Sequence, residues 1–207
     1  MTTATPPPVS RQEARRQQIL DAACACVRRA GFHGASMAEI AQKAGLSVGQ
    51  IYRYFENKEA IVAAIVAQDL AEMHAKFAEL ENSGSPLMEA MVDGVGTAVE
   101  RNYDPDRAAL VLEVLAEAAR NPRVASILRQ ADTAERNLAY GLLEKVMPAQ
   151  CTAADMAARC EVLGMLFDGM AMRAVSNPDS DRKAIARMVG ALMRSLLEAP
   201  PMTPAEA

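Results

Sequence analysis

Tryptophan is absent from the 207 residues, aromatic residues make up only 4%, and there are just two histidines, His33 and His74. With strand-favouring aromatics this scarce, and Ala, Leu and Met supplying most of the 51% hydrophobic content, an all-β sandwich or barrel is excluded in favour of helices. Two histidines without partners at ligand spacing leave no zinc site, and no nucleophile–base pair or phosphate-binding glycine loop is present. The chain therefore reads as neither metal-dependent nor enzymatic, and no cofactor is expected. The four cysteines, at 24, 26, 151 and 160, are too few and too scattered for a disulfide framework. Cys24 and Cys26 point about 200° apart on a helix and cannot share one metal ion. They read as packing residues, with a redox sensor as a separate possibility. No signal peptide is recognisable, and the longest apolar stretch, 162–175, is interrupted by Asp168 and Arg173. It is too short to span a bilayer, so a soluble, cytoplasmic protein with no membrane partner is expected.

What is present is an uneven charge. The formal net charge is −4, yet residues 1–60 carry eight basic and five acidic side chains, a net of +3, which leaves −7 for the remainder. A basic head on an acidic body implies two jobs. Turn and cap signals at Gly31, Gly34, Gly45, Asn57, 83–86, Asp104-Pro105, Asn121-Pro122, Pro148, Thr152 and 177–179 divide the chain into about nine helices with no convincing strand. The expected organisation is all-α. Residues 1–10, with three consecutive prolines, form a flexible arm, and 11–57 a three-helix DNA-binding domain. Residues 58–199 form a larger helical body, to which the resemblance given below assigns ligand binding and dimerisation, and 200–207 a flexible tail.

The chemistry concentrates in residues 36–58, SMAEIAQKAGLSVGQIYRYFENK. Ser36 and Glu39 have capping-box spacing, and Met37, Ile40, Ala41 and Ala44 line one face of a short helix. Gly45 supplies a turn, and Ser47 caps a second helix. This predicts a helix-turn-helix over 36–55. In its second helix Val48, Ile51 and Phe55 are expected inward, and Gln50, Arg53 and Tyr54 outward. Arg can donate two parallel hydrogen bonds to guanine, Gln pairs with adenine, and Tyr reaches phosphate or sugar. Gly49 permits close backbone approach to the duplex. Lys58 follows the cap at Asn57, where a phosphate would sit. A merely solvated helix face explains any one of these residues but not the set.

Four runs resemble the TetR family of transcriptional regulators: residues 16–23 with Gly31-Phe32, 36–41, 45–49, and Ile51-Tyr52-Arg53-Tyr54-Phe55-Glu56-Asn57-Lys58-Glu59. The resemblance covers about the first 60 residues. It implies a homodimer whose two recognition helices enter successive major grooves of a double-stranded operator, and a helical body that binds a small-molecule effector. It places Val48, Gly49, Gln50, Tyr52 and Arg53 near bases or sugars, and Ser36, Tyr54 and Lys58 near phosphates. Ala38 stands where some relatives carry a basic residue.

Beyond residue 60 the pattern is less specific. A helix from Lys58 to about Leu80 is long enough to link head and body. The last two helices, roughly 152–176 and 179–198, carry wide apolar faces. Met156, Cys160, Leu163, Gly164, Phe167, Ile185, Met188, Val189 and Leu192 are the expected dimer seam, with burial inside one subunit as the other reading. Asp168 interrupts the apolar face and is expected to pair with Arg173, a dimer partner or a cationic ligand. Around Asp168-Gly169-Met170-Ala171 and residues 110–123 the body is faintly similar to the choline-responsive branch of the family. Eleven of the 13 methionines lie after residue 60 and suit either a core or an adaptable pocket. Candidate polar anchors for an effector are His74, Tyr103, Glu113, Glu117, Arg120, Asn137 and Asp168. The expected function is a ligand-responsive regulator, a repressor released from its operator by a small hydrophobic or amphipathic effector. The competing reading is a partner-binding coactivator or scaffold of the same fold.

Overall fold

A computed structural model describes residues 10–201, so most of the predicted arm and tail lie outside the described residues. Among these residues there are nine α-helices and no strand. They are α1 (Arg11–Gly34), α2 (Met37–Lys43), α3 (Val48–Ile51), α4 (Lys58–Glu81), α5 (Leu87–Asn102), α6 (Pro105–Ala118), α7 (Pro122–Leu143), α8 (Ala153–Ser176) and α9 (Arg182–Glu198). Most begin where the sequence offers a side chain to accept a free backbone N–H. Ser10, Ser36, Ser47, Asp104, Asn121, Thr152 and Asp181 each do so, with Pro105 and Pro122 in the first turns of α6 and α7. The cap of α9 is Asp181, slightly later than the expected start, because Asn177, Pro178 and Asp179 are spent in the preceding turn. No helix of the described residues is long and apolar enough to cross a membrane.

The chain divides into two compact units, one ending at Ile65 and the other starting at Val66. The division falls inside α4 rather than before it. The first two turns of α4 bury Ile61 and Val62 and belong with the first unit. The core of that unit is small and aliphatic: Ile19, Ala23, Val27, Phe32, Ile40, Ala41, Ile51 and Phe55 are all buried. Helix α1 is broken at Gly31, whose φ of 71° and ψ of 168° exclude a side chain, and the break turns Phe32 into the core.

The second unit packs α5 to α9 around Met91, Val95, Val99, Tyr103, Leu142, Leu143, Met170, Met193 and Leu197. Its closest helix pairs are α5 with α9 and α6 with α8. Gly190 allows the first of these, since a Cβ there would lie 3.2 Å from Val92 Cγ1. Among the described residues three charged side chains are buried, Glu117, Asp155 and Arg159. Each is satisfied locally, as burial requires. Asp155 completes the capping box of α8 with Thr152. Arg159 donates to the carbonyls of Leu196, Leu197 and Pro200 at the end of α9.

Candidate nucleic-acid interface

The first unit presents its exposed polar groups on a helix-turn-helix. Helix α2 starts at Ser36, whose Oγ accepts the Glu39 N–H at 3.1 Å. The reciprocal half of the expected capping box is missing, because the Glu39 carboxylate pairs with Arg29 of α1 instead. Gly45, with φ of +63°, closes the turn, and the Leu46 N–H reaches back to the Ala41 carbonyl at 2.9 Å. A full capping box forms at α3: Ser47 Oγ accepts from Gln50 N–H, and Gln50 Oε1 accepts from Ser47 N–H at 2.8 Å. The amide group of Gln50 is thereby oriented by the helix it sits on.

Helix α3 is short, and residues 52–54 continue as turns. Ile51 and Phe55 are fully buried as expected, but Val48 is 43% exposed. The correction has a simple cause: Val48 opens the helix, with no preceding turn for it to pack against. Val48, Gly49, Gln50, Tyr52 and Arg53 are all exposed, Tyr52 at 51%, whereas Tyr54 is half-buried. They form an open face of small, apolar and hydrogen-bonding groups at the start of a short helix. Nothing lies within 4 Å of where a Gly49 Cβ would be, so that backbone is open to a large partner. Ala38 is also exposed.

Lys58 is more committed than its motif position implies. Its ammonium donates to the Phe32 carbonyl at 2.7 Å and stands 4.5 Å from the Phe32 ring centroid. It ties the end of α1 to the start of α4, leaving two of its three N–H groups for a phosphate. Arg16 lies over the Phe55 ring at 4.4 Å, and Gln18 Nε2 donates to the Ala44 carbonyl at 2.7 Å. Neither contact was visible as a motif. Both hold the helix-turn-helix against α1.

Of the polar residues expected to anchor an effector, Tyr103, Glu117 and Arg120 are committed to contacts within the body. Tyr103 is in the core with Arg182 near its ring, and Glu117 is 1% exposed, accepting from Arg120 Nε at 2.9 Å and Asn121 Nδ2 at 3.0 Å. Glu117 and Arg120 therefore serve the corner between α6 and α7. His74 and Asn137 are exposed and Glu113 is half-buried. Asp168 does not pair with Arg173, five residues on, because that spacing puts the two on different sides of α8. It stands exposed on α8, and its carboxyl is raised above the usual range by partial desolvation and then by the negative charges of Asp132 and Glu161. Glu135, also exposed and not singled out by the sequence, is raised in the same way, first by partial desolvation and then by Asp168, Asp69 and Asp132, with Arg107 opposing.

The expected seam divides between two surfaces. Cys160, Leu163 and Val189 are buried in the subunit's own core, and Met156, Phe167 and Ile185 pack half-buried against it. Burial holds the Cys160 thiol up at about 11, far from a reactive thiolate. Gly164, Met188 and Leu192 are exposed, Met188 at 70%. Val162, Met165, Met172 and Val175 of α8 share that exposure and were missed. The 3.6-residue period marks apolar faces but does not say which of two adjacent ones meets solvent.

Comparison with known proteins bears on both units. Residues 19–65 match the profile of bacterial regulatory proteins of the tetR family, and residues 85–198 match that of the tetracyclin repressor-like C-terminal domain. The chain is similar to the HTH-type transcriptional regulator UidR of Escherichia coli strain K12, 36% identical over 114 residues, 55% of this chain and 57% of UidR. The match thus spans little more than half of that relative's length. Among solved structures, Salmonella enterica GusR superimposes with a TM-score of 0.76 at 25% identity, covering 91% of this chain and 98% of GusR. The Bacillus subtilis regulator FadR in complex with stearoyl-CoA gives 0.72 at 20% identity, covering 87% of this chain and 97% of FadR.

Proposed function

Because the chain belongs to the TetR family of bacterial regulatory proteins, we propose that it is a homodimeric repressor that leaves a near-palindromic operator when its body binds a small hydrophobic or amphipathic effector. The observation that carries this reading is the open face of α3. Gln50 and Arg53 supply base-reading groups, Val48 and Tyr52 reach thymine methyls and sugars, and Gly49 keeps the approach clear. Ser36, Tyr54 and the spare N–H groups of Lys58 hold phosphates. The local charge of +3 favours a polyanion there, while the −7 of the remainder keeps DNA from the body.

Dimerisation is supported by the exposed row on α8 and α9, in which Met165, Met172 and Val175 stand with Met188 and Leu192. Several large apolar side chains left exposed on two helices are costly in water and support an interface there. No side chain crowds Gly164 or Gly169 on this face, so a partner helix can come close. The effector is proposed to bind in the body, with Glu113, Asn137, Asp168 and the added Glu135 as its polar contacts. FadR of Bacillus subtilis holds stearoyl-CoA on the same fold. That precedent agrees with an amphipathic effector.

Selection from a library of random duplexes tests the proposal. The expected product is one enriched sequence with two inverted half-sites about one helical turn apart. A scaffold without DNA specificity enriches nothing at any salt concentration, and that result would overturn the reading.

A further inference from the structure

Helix α4 belongs to both compact units, and its second half is weakly packed. Its only fully buried residues are Ile61 and Val62, both in the first unit; from Val66 to Glu81 none is fully buried. No helix pair involving α4 is among the closely packed ones. What holds this stretch, besides half-buried apolar residues such as Phe77 and Leu80, is charge, with Lys145 Nζ donating to Glu81 Oε1 at 2.6 Å at its far end and a larger cluster at Asp69. Asp69 lies between two guanidinium groups: Arg107 Nη1 is 2.6 and 2.8 Å from its two carboxylate oxygens, and Arg101 Nη2 is 3.0 Å from Oδ1. Arg101 also donates to Glu72, one turn on, at 3.0 Å.

The triad differs from ordinary surface pairs. Its members are partly sheltered, Asp69 34% and Arg107 25% exposed, and the two arginines come from either side of the corner between α5 and α6. Arg107 sits in the first turn of α6, where the helix dipole disfavours a cation. A neighbouring carboxylate compensates that placement, and Asp69 is the one it touches. The same charges reach Glu135 of α7, on which Asp69 and Arg107 act in opposite senses. A segment with no fully buried residue, held by half-buried contacts and by partly exposed ion pairs of which the Asp69 triad is the most sheltered, has the low local stability expected of an element that changes position.

We propose that the triad of Asp69, Arg101 and Arg107 is a latch that fixes α4 for operator binding, so that opening it lowers operator affinity. The latch rests on the reading of the chain as a dimeric operator-binding protein. It assigns these three side chains, all in the second unit, as positioning residues.

The test uses the full chain with Asp69→Asn, Arg107→Gln and Asp69→Glu, the last retaining the carboxylate. Hydrogen exchange of backbone amides in 66–81 is measured without DNA. Affinity is measured for a duplex selected by the parent protein, and for the same duplex with one base pair inserted between half-sites. Asp69→Asn and Arg107→Gln are expected to speed exchange in 66–81. They should lower affinity for the selected duplex on the order of tenfold, change affinity for the inserted duplex little, and so erase discrimination between the two. Asp69→Glu restores most of both. A general loss of folding would instead lower both affinities together and escape rescue. Unchanged exchange in 66–81, or discrimination retained in Asp69→Asn, would overturn the latch. Failure of the parent to select any duplex overturns the regulator reading, and the exchange measurement, which needs no DNA, separates that failure from failure of the latch.

Discussion

Replacing Arg159 by alanine should destabilise the body severely. The side chain is 3% exposed, and its guanidinium donates to three carbonyls in and just beyond the last turn of α9, with Leu197 O at 3.3 Å and Pro200 O at 2.8 Å. Those carbonyls are groups a helix cannot satisfy by itself, and they carry the negative end of its dipole. Each hydrogen bond from a charged donor contributes about 1.5–3 kcal/mol, and the three share one donor group, so they do not add fully. With the unfilled volume left beside the fully buried Leu197, the expected loss is about 3–5 kcal/mol. For a chain of this size that is a fall in Tm of roughly 6–20 °C. Calorimetry at fixed protein concentration reads it, since an oligomer's Tm varies with concentration. Arg159→Lys keeps the charge but loses the fork, and should recover less than half. A Tm of Arg159→Ala within about 2 °C of the parent would refute the reasoning and mean that α9 ends without this cap.

Three further outcomes follow from other parts of the molecule. Ile51→Ala removes a side chain with 0% exposure from the centre of the first unit and should cost about 2–5 kcal/mol in thermal or urea unfolding; a neutral result would mean that α3 is not packed as described. Met188→Glu with Leu192→Glu places charge on the exposed row, and light scattering should show the 22.2 kDa monomer in place of a dimer of twice that mass. A dimer that survives both changes locates the seam elsewhere. Asp168, exposed but raised by partial desolvation and neighbouring carboxylates, contributes its stability below the unfolded value of about 4 and loses it as pH rises through the folded value. Asp168→Asn should therefore raise Tm at pH 7.5 and give no gain below about pH 4; an equal shift at both pH values would contradict the assignment.

The helix-turn-helix was legible because short-range chemistry specifies it. Ser36, Gly45 and Ser47 act within three or four residues of themselves, and the structure uses each as a cap or turn. The cap at Gln50 is legible as Ser47-x-x-Gln, a spacing that serves the helix start at the same position that faces outward. Val48 was misplaced because periodicity assumes a helix already under way. What the sequence withheld was long-range pairing. Arg159 with the end of α9, Lys58 with Phe32, and Asp69 with two arginines join residues 26 to 41 positions apart. No local pattern announces such partners. The apolar faces of α8 and α9 were visible, but Leu163 and Val189 went inward while Met165 and Met172 stayed out. That outcome depends on how α5 and α6 pack against them.

The central claim is that the α3 face reads bases, and Arg53 tests it most directly. Fluorescence anisotropy with the selected duplex and with random duplex of equal length, for the parent and Arg53→Ala across a range of salt, gives four binding curves. Loss of a two-bond contact to guanine is worth about 1–3 kcal/mol, so affinity for the selected duplex should fall about 5- to 150-fold. Affinity for random duplex should change by only a factor of about two to three, and its slope with salt should flatten by no more than about one phosphate contact. Equal losses on both duplexes would contradict the account and reduce Arg53 to a phosphate contact.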